Sequence, residues 1–225
     1  TNKNIYSSAE NISKSLNLSG VDHCLNIMPL FHIHGLIAIL AASIKSGASV
    51  CASNGFNALK FLELAKTEKI TWYSGVPTMH QAILLRAEKN LELAKNLNLR
   101  LIRSSSASLP PAVFEKLNSV FGCSVIEAYG MTEATHQMTS NPLPPKKQKP
   151  GFVGIPAGPE VCIMDEKDTI LDQGEIGEIC IKGDNVTLGY DNNPEANKNS
   201  FTNGWVRTGG QGYFDQNGYL KISGR

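Results

Sequence analysis

The sequence predicts an α/β fold in two parts. A layered subdomain of alternating strands and helices spans residues 1–150, and a β-rich subdomain spans residues 151–225. Three observations carry this expectation. Short apolar runs alternate with amphipathic ones through the first half, the pattern of a mainly parallel sheet with helices on its faces. Pro77 and Pro111 stand near the starts of two amphipathic runs, where proline is tolerated in a helix. After residue 140 the pattern changes to a Pro- and Lys-rich loop, Asn141 to Gly151, followed by short strand-like runs.

Taken in chain order, the helices expected in the first part are Ile5–Leu16, Leu36–Lys45, Ala58–Lys69, Thr78–Lys89 and Ala112–Phe121. The strands between them are Cys24–Met28, Ser49–Ala52, Thr71–Ser74, Leu99–Arg103 and Cys123–Glu127. Gly35–Ile44 is the longest mostly apolar stretch, too short to cross a bilayer. It follows a turn containing proline and histidine and ends at Lys45-Ser46-Gly47, so it reads as a buried helix with a glycine stop. In the second part Glu160–Met164, Gly177–Lys182 and Tyr219–Ser223 read as strands, with Asp215-Gln-Asn-Gly218 as a turn.

Composition excludes several classes. An apolar fraction of 41% with only 18% charged residues fits a folded globular chain rather than a disordered one. A net charge of +1 gives no electrostatic case for nucleic acid or an acidic membrane surface. The basic run Lys146-Lys147-Gln148-Lys149 sits among prolines and reads as a solvated loop. The five cysteines (Cys24, Cys51, Cys123, Cys162, Cys180) form no C-x-x-C pair, so they read as buried reduced thiols and not as a zinc site. With no secretory signal, a cytoplasmic protein is expected. No G-x-G-x-x-G follows a strand and no G-x-S-x-G is present, which disfavours a nicotinamide dehydrogenase and a serine hydrolase.

The segment Ile126–Gln137 is the richest in chemistry. An apolar strand is expected to break at Gly130, with Thr132-Glu133 opening a helical turn. Free N–H groups at such a start attract phosphate, Thr132 adds a hydroxyl, and the Glu133 carboxylate is a hard oxygen ligand suited to Mg²⁺. The simpler alternative is that Thr132 caps the helix with Glu133 in its first turn. Ser104–Ala107 falls at another strand end, where ligands of α/β sheets bind, although a serine run is equally a plain loop. His32 is either a functional histidine or a helix-capping or core one.

Tyr129-Gly-Met-Thr-Glu133 resembles the central signature of the adenylate-forming enzymes, a family of acyl- and aryl-CoA synthetases, luciferases and peptide-synthetase adenylation domains. Four further stretches agree in order. Met28–Gly35 resembles the acyl-pocket and gate motif, Arg103–Pro110 the adenine loop, and Gly174–Gly183 a strand pair. Trp205–Tyr213 with Gly218–Arg225 resembles the ribose-binding end. The resemblance implies an AMP-forming acid–thiol ligase using ATP, Mg²⁺ and, as co-substrate, coenzyme A.

Residue by residue, the resemblance implies nucleotide contacts from Ser104, Ser105, Ser106, Ala107, Glu127, Ala128, Tyr129, Gly130, Met131, Thr132 and Arg225. Tyr129 packs on adenine, Glu133 holds the metal, and Thr132 touches phosphate. His32 is the gate beside the reacting carboxylate. His32, Thr132 and Glu133 form the catalytic set. Position 210 departs from the family, which carries an aspartate there for the ribose hydroxyls. Gly210 supplies no side-chain acceptor, and each lost hydrogen bond to a charged acceptor costs roughly 1.5–3 kcal/mol.

Three segments (28–37, 103–110 and 127–145) look much like those of the oxalate–CoA ligases, also called peroxisomal-type CoA synthetases. This implies a small carboxylic acid substrate, oxalate first, with His32 at its reacting end and Ser106, His136 and His34 on its distal carboxylate. For a eukaryotic protein it adds the peroxisome as an alternative compartment. The alternatives are a medium-chain or aryl acid–CoA ligase, or a degenerate AMP-binding module without turnover. The family's phosphate loop would precede Thr1, and a small mobile domain would follow Arg225. Neither is in these 225 residues, so the isolated chain is expected to be inactive.

Overall fold

A computed structural model describes residues 1–224. The chain starts with helix α1 (Asn2–Ser15), capped by Thr1, then strand β1 (His23–Asn26). A π-helical stretch, His34–Ala41, runs into α2 (Ala42–Lys45), and β2 (Ser49–Ala52) follows. Next come α3 (Phe61–Thr67), β3 (Trp72–Gly75), α4 (Pro77–Ala87), α5 (Leu91–Lys95), β4 (Leu101–Ser104), α6 (Pro111–Phe121) and β5 (Ser124–Met131). A 3₁₀ turn at Thr132–Ala134 leads to β6 (His136–Ser140) and β7 (Ile155–Pro156).

Among the described residues these strands form one seven-stranded sheet in the order β2-β1-β3-β4-β5-β6-β7. β2 to β5 pair in parallel, and β6 and β7 are antiparallel additions. The parallel strands β1, β3, β4 and β5 are largely buried on both faces, which is why they read as apolar runs, while β2 at the edge is not. Leu25, Tyr73, Ile102 and Val125 face the layer of α3, α4 and α6. Their neighbours Cys24, Trp72, Leu101 and Ile126 face α1 and the π-helical stretch.

The second part carries β8 (Glu160–Met164), β9 (Gly177–Lys182), α7 (Pro194–Ser200), β10 (Phe201–Thr202), β11 (Trp205–Phe214) and β12 (Leu220–Gly224). The strand order is β10-β11-β9-β8, with β12 on β11. Its core of Ile163, Ile179, Ile181, Val206 and Leu220 packs directly on Ala134 of the 3₁₀ turn and Met138 of β6.

Several expectations need correction. The strand does not break at Gly130; β5 continues to Met131, because Gly130 and Met131 still pair with β6 across a register shift. No helix follows Thr132. The three-residue turn closes on left-handed Thr135 and the chain returns as a strand, so no helix dipole builds up there. The helix expected at Leu36 begins at His34 and is π-wound through Ala41. Ala58–Lys69 shortens to Phe61–Thr67, because the Asn57 side chain accepts from the Leu59 and Lys60 amides and holds a turn there. β6, β7, α5, α7, β10 and the long β11 carried no sequence expectation of their own. Cys51 is half-buried rather than buried, while the other four thiols are buried. In the 141–151 loop, Lys149 ion-pairs with Asp215 and lies 4.0 Å from the centre of the Phe152 ring, so it is not merely solvated.

Candidate active site

Gly130 shows how tightly the Thr-Glu turn is built. A Cβ on it would stand 1.6 Å from the His136 carbonyl oxygen, so only glycine lets β6 approach β5 here. The turn is held from the second part of the chain. The Thr187 amide donates to the Glu133 carbonyl at 2.7 Å, and Asn185 Nδ2 donates to the carbonyls of Ala134 and Gln137 at 2.8 and 3.0 Å. The Tyr190 hydroxyl donates to Glu133 Oε1 at 2.7 Å, and that bond, with burial, raises the Tyr190 pKa. Tyr190 lies 57 residues from Glu133 and has no local sequence signal.

Two clefts meet at this turn and share Gly130. One, of about 370 Å³, is lined by Ser106, Ala107, Ala128, Tyr129 and Val153 among others. The other, of about 560 Å³, is strongly polar and is lined by Thr132, Glu133, Tyr190, Arg207 and Thr208 with Met131. Ser106 and Ala107 therefore face open space. Ser104 and Ser105 are buried behind them, with Ser105 Oγ donating to the Ala128 carbonyl at 2.8 Å. Glu127 borders the first cleft, yet its carboxylate is taken up by the Leu109 and Gly151 amides at 3.1 Å each. Burial raises its pKa, and those two bonds oppose the rise.

His34, Ser106 and His136 come from three separate segments and converge. His34 Nδ1 is 3.0 Å from Ser106 Oγ, and the rings of His34 and His136 are 5.2 Å apart. Ser106 has φ +71° and His136 has φ +97°, a region non-glycine residues rarely occupy and one that clusters at functional sites. Residues without a sequence assignment complete the group. Ser74 Oγ is 2.6 Å from His34 Nε2, and the fully buried Arg103 guanidinium donates to Ser74, His136 Nδ1 and Gln137 Oε1. Burial pushes His34 and His136 well below the ordinary histidine range, and the Arg103 charge pushes the same way. His32 is exposed, and its Nδ1 accepts from the His34 amide at 3.1 Å, so it makes a capping contact and leaves Nε2 to the solvent side.

Gly210 sits beside this region: a Cβ there would lie 3.0 Å from the Tyr129 hydroxyl and 3.3 Å from Thr208 Oγ1. Arg225 falls outside the described residues. Among the described residues no cluster of three or more His, Cys, Asp or Glu side chains could hold a metal alone, and no helix is long and apolar enough to cross a membrane.

A turn bearing Thr132 and Glu133 thus lies where two clefts meet, one of them opening on the small-residue loop at Ser106 and Ala107. The chain belongs to the AMP-binding enzyme family, whose sequence model matches residues 1–191. It is 48% identical to an oxalate–CoA ligase of Arabidopsis thaliana, over 100% of this chain and 44% of that protein. It is 46% identical to an oxalate–CoA ligase of Saccharomyces cerevisiae, over 99% of this chain and 40% of that protein. The crystal structure of ATP-bound MatB from Rhodopseudomonas palustris superposes with a TM-score of 0.92 at 31% identity, covering 100% of this chain and 44% of that one. The chain thus spans less than half the length of the relatives it matches.

Proposed function

We propose that the full-length protein is an AMP-forming acid–thiol ligase that activates a small dicarboxylate, oxalate first, and transfers the acyl group to coenzyme A. The observation that carries this reading is the buried polar cluster behind Ser106, beside the Thr-Glu turn. Where a fatty or aryl acid would need an apolar wall, His34, Ser106, His136 and a buried arginine stand together. The relatives' names support oxalate as the first choice.

In the reaction, one carboxylate oxygen attacks the α-phosphorus of ATP, the bond to the β-phosphate bridging oxygen breaks, and pyrophosphate leaves. The thiolate of coenzyme A then attacks the acyl carbon and AMP departs, the thiol proton going to solvent. This chemistry needs in-line positioning and charge balance and no protein nucleophile. Thr132 contacts phosphate by its hydroxyl, and Tyr129 packs on adenine beside Ser106 and Ala107. His32, whose Nε2 is left uncommitted by the capping bond at Nδ1, donates to the reacting carboxylate and moves aside for the thiol.

Glu133 would hold Mg²⁺. One protein carboxylate at a polar cleft fits that ion, which takes its remaining ligands from phosphate and water. When bound, the ion offsets phosphate charge. Tyr190 holds one Glu133 oxygen and leaves the other for the metal.

The test is AMP release by the full-length protein given ATP, Mg²⁺ and coenzyme A. Oxalate is expected to outrun octanoate and coumarate; the reverse order would overturn the dicarboxylate reading. Gly210 favours a second reading, an AMP-binding module without turnover, in which no acid supports AMP release.

A further inference from the structure

Arg103 is the charged member of this cluster that ordinary packing does not account for. It is 0% exposed, yet among the described residues no carboxylate pairs with it, and its Nε has no hydrogen-bond partner. A buried charge without a counter-ion is costly unless something else answers it. Its other nitrogens go to neutral acceptors: Ser74 Oγ at 3.3 Å, Gln137 Oε1 at 3.3 Å and His136 Nδ1 at 3.4 Å.

Because a guanidinium only donates, these contacts fix where the neighbouring protons sit. His136 Nδ1 must accept, so its proton is on Nε2, which has no partner among the described residues. Ser74 is fully buried, and its Oγ has two partners, Arg103 and His34 Nε2. The arginine supplies the proton to the first, so the single hydroxyl proton of Ser74 goes to His34 Nε2. His34 then carries its proton on Nδ1 and donates to Ser106 Oγ at 3.0 Å. Ser106, which faces the cleft, is left with its own O–H to give away. Two chains of hydrogen bonds start at one guanidinium and end as two free donors, Ser106 O–H and His136 Nε2–H.

We propose that Arg103 is a positioning and specificity-determining residue: it sets the proton order of both chains so that Ser106 and His136 each present a donor to the second carboxylate of a small dicarboxylate, and its charge is answered by that carboxylate. This rests on the dicarboxylate reading above. A monocarboxylate would leave both donors and the guanidinium unanswered, which is how the site discriminates.

The experiment uses the full-length protein in two arms. In the first, histidine ¹⁵N spectra at pH 7 report tautomers. His136 is expected as the Nε2–H form and His34 as the Nδ1–H form, with His136 losing its fixed tautomer in Arg103→Met. A wild-type His136 carrying its proton on Nδ1 overturns the proposal. In the second, the ratio of kcat/KM for oxalate over acetate is expected to fall about 100-fold in Arg103→Met and about 10-fold in Ser74→Ala, mainly through the KM for oxalate. An equal loss for both acids would mark a merely structural role and overturn it. Ser74→Ala decides should Arg103→Met fail to fold. Wild-type preference for acetate would sink the dicarboxylate reading, while the spectra still decide the proton order on their own.

Discussion

On the proposed reading, Gly210 bears on how strongly the site can hold a nucleotide. The position is buried, next to Tyr129 at the edge of the first cleft, and its backbone has an ordinary φ, so glycine is not demanded by conformation. An aspartate Cβ would meet the Tyr129 hydroxyl at 3.0 Å, a contact relieved by a small shift of that side chain. Gly210→Asp is therefore expected to fold and to tighten AMP binding to the full-length protein by about 10- to 100-fold, the worth of one bond to a charged acceptor. Calorimetry checks it, and unchanged affinity would show that the ribose does not sit there. At this scale the sequence singled out Thr132, Glu133 and His136, and the structure puts the first two on a polar cleft and His136 beside His34. Arg103, Ser74 and Tyr190 were not legible, because their roles come from burial and from partners 29 to 57 residues away.

Among the elements, the β5–β6 hairpin is the most constrained. Its two strands read apart in the sequence because a glycine and a Thr-Glu pair lie between apolar residues, a pattern shared by strand ends and helix starts. The signal that decides is steric and long-range: Gly130 must accept the His136 carbonyl against its Cα, and Asn185 and Thr187 must hold the turn. Gly130→Ala places a methyl 1.6 Å from that oxygen, so the hairpin has to part. A loss of about 3 kcal/mol in urea unfolding is expected, at the upper end of overpacking costs, together with loss of nucleotide binding. A variant as stable as the parent would show that the hairpin yields freely. The parallel strands β1 to β4 were readable to within about two residues from their apolar runs, whereas β5 overran its expected end at Glu127 to reach Met131. The π-wound stretch from His34 was not readable, as its register is set by tertiary packing: a Gly35 Cβ would stand 2.4 Å from the Pro29 carbonyl oxygen.

Across the whole molecule, three histidines are buried and held neutral: His34 on the π-helical stretch, His80 on α4 and His136 on β6. His80 lies between the Tyr73 hydroxyl at 3.1 Å and the Gly75 carbonyl at 3.2 Å, and burial lowers its pKa from 6.5 to about 4. His34 and His136 are pushed the same way by burial and by Arg103. The unfolded chain binds protons on all three at a pH where the folded chain does not. Their contribution is therefore complete above the unfolded pKa near 6.5 and is lost as pH falls toward the folded values, about 4 for His80. Each adds up to about 1.4 kcal/mol per pH unit to the slope. Asp22 extends the loss to lower pH. Burial pushes its carboxyl up, but bonds from Arg100, the Ser19 amide and Thr71 outweigh that and leave it below 3.8. That contribution is present above 3.8 and disappears as pH falls through the lower folded value. Urea midpoints of this chain are thus expected to drop between pH 6.5 and 4, with His80→Gln lessening the slope by about one proton's worth. Trp72 reports the first sheet and Trp205 the second, so fluorescence shows where the loss begins. The second sheet holds no histidine, and a transition led by Trp205 would place the acid-sensitive step outside the histidine cluster.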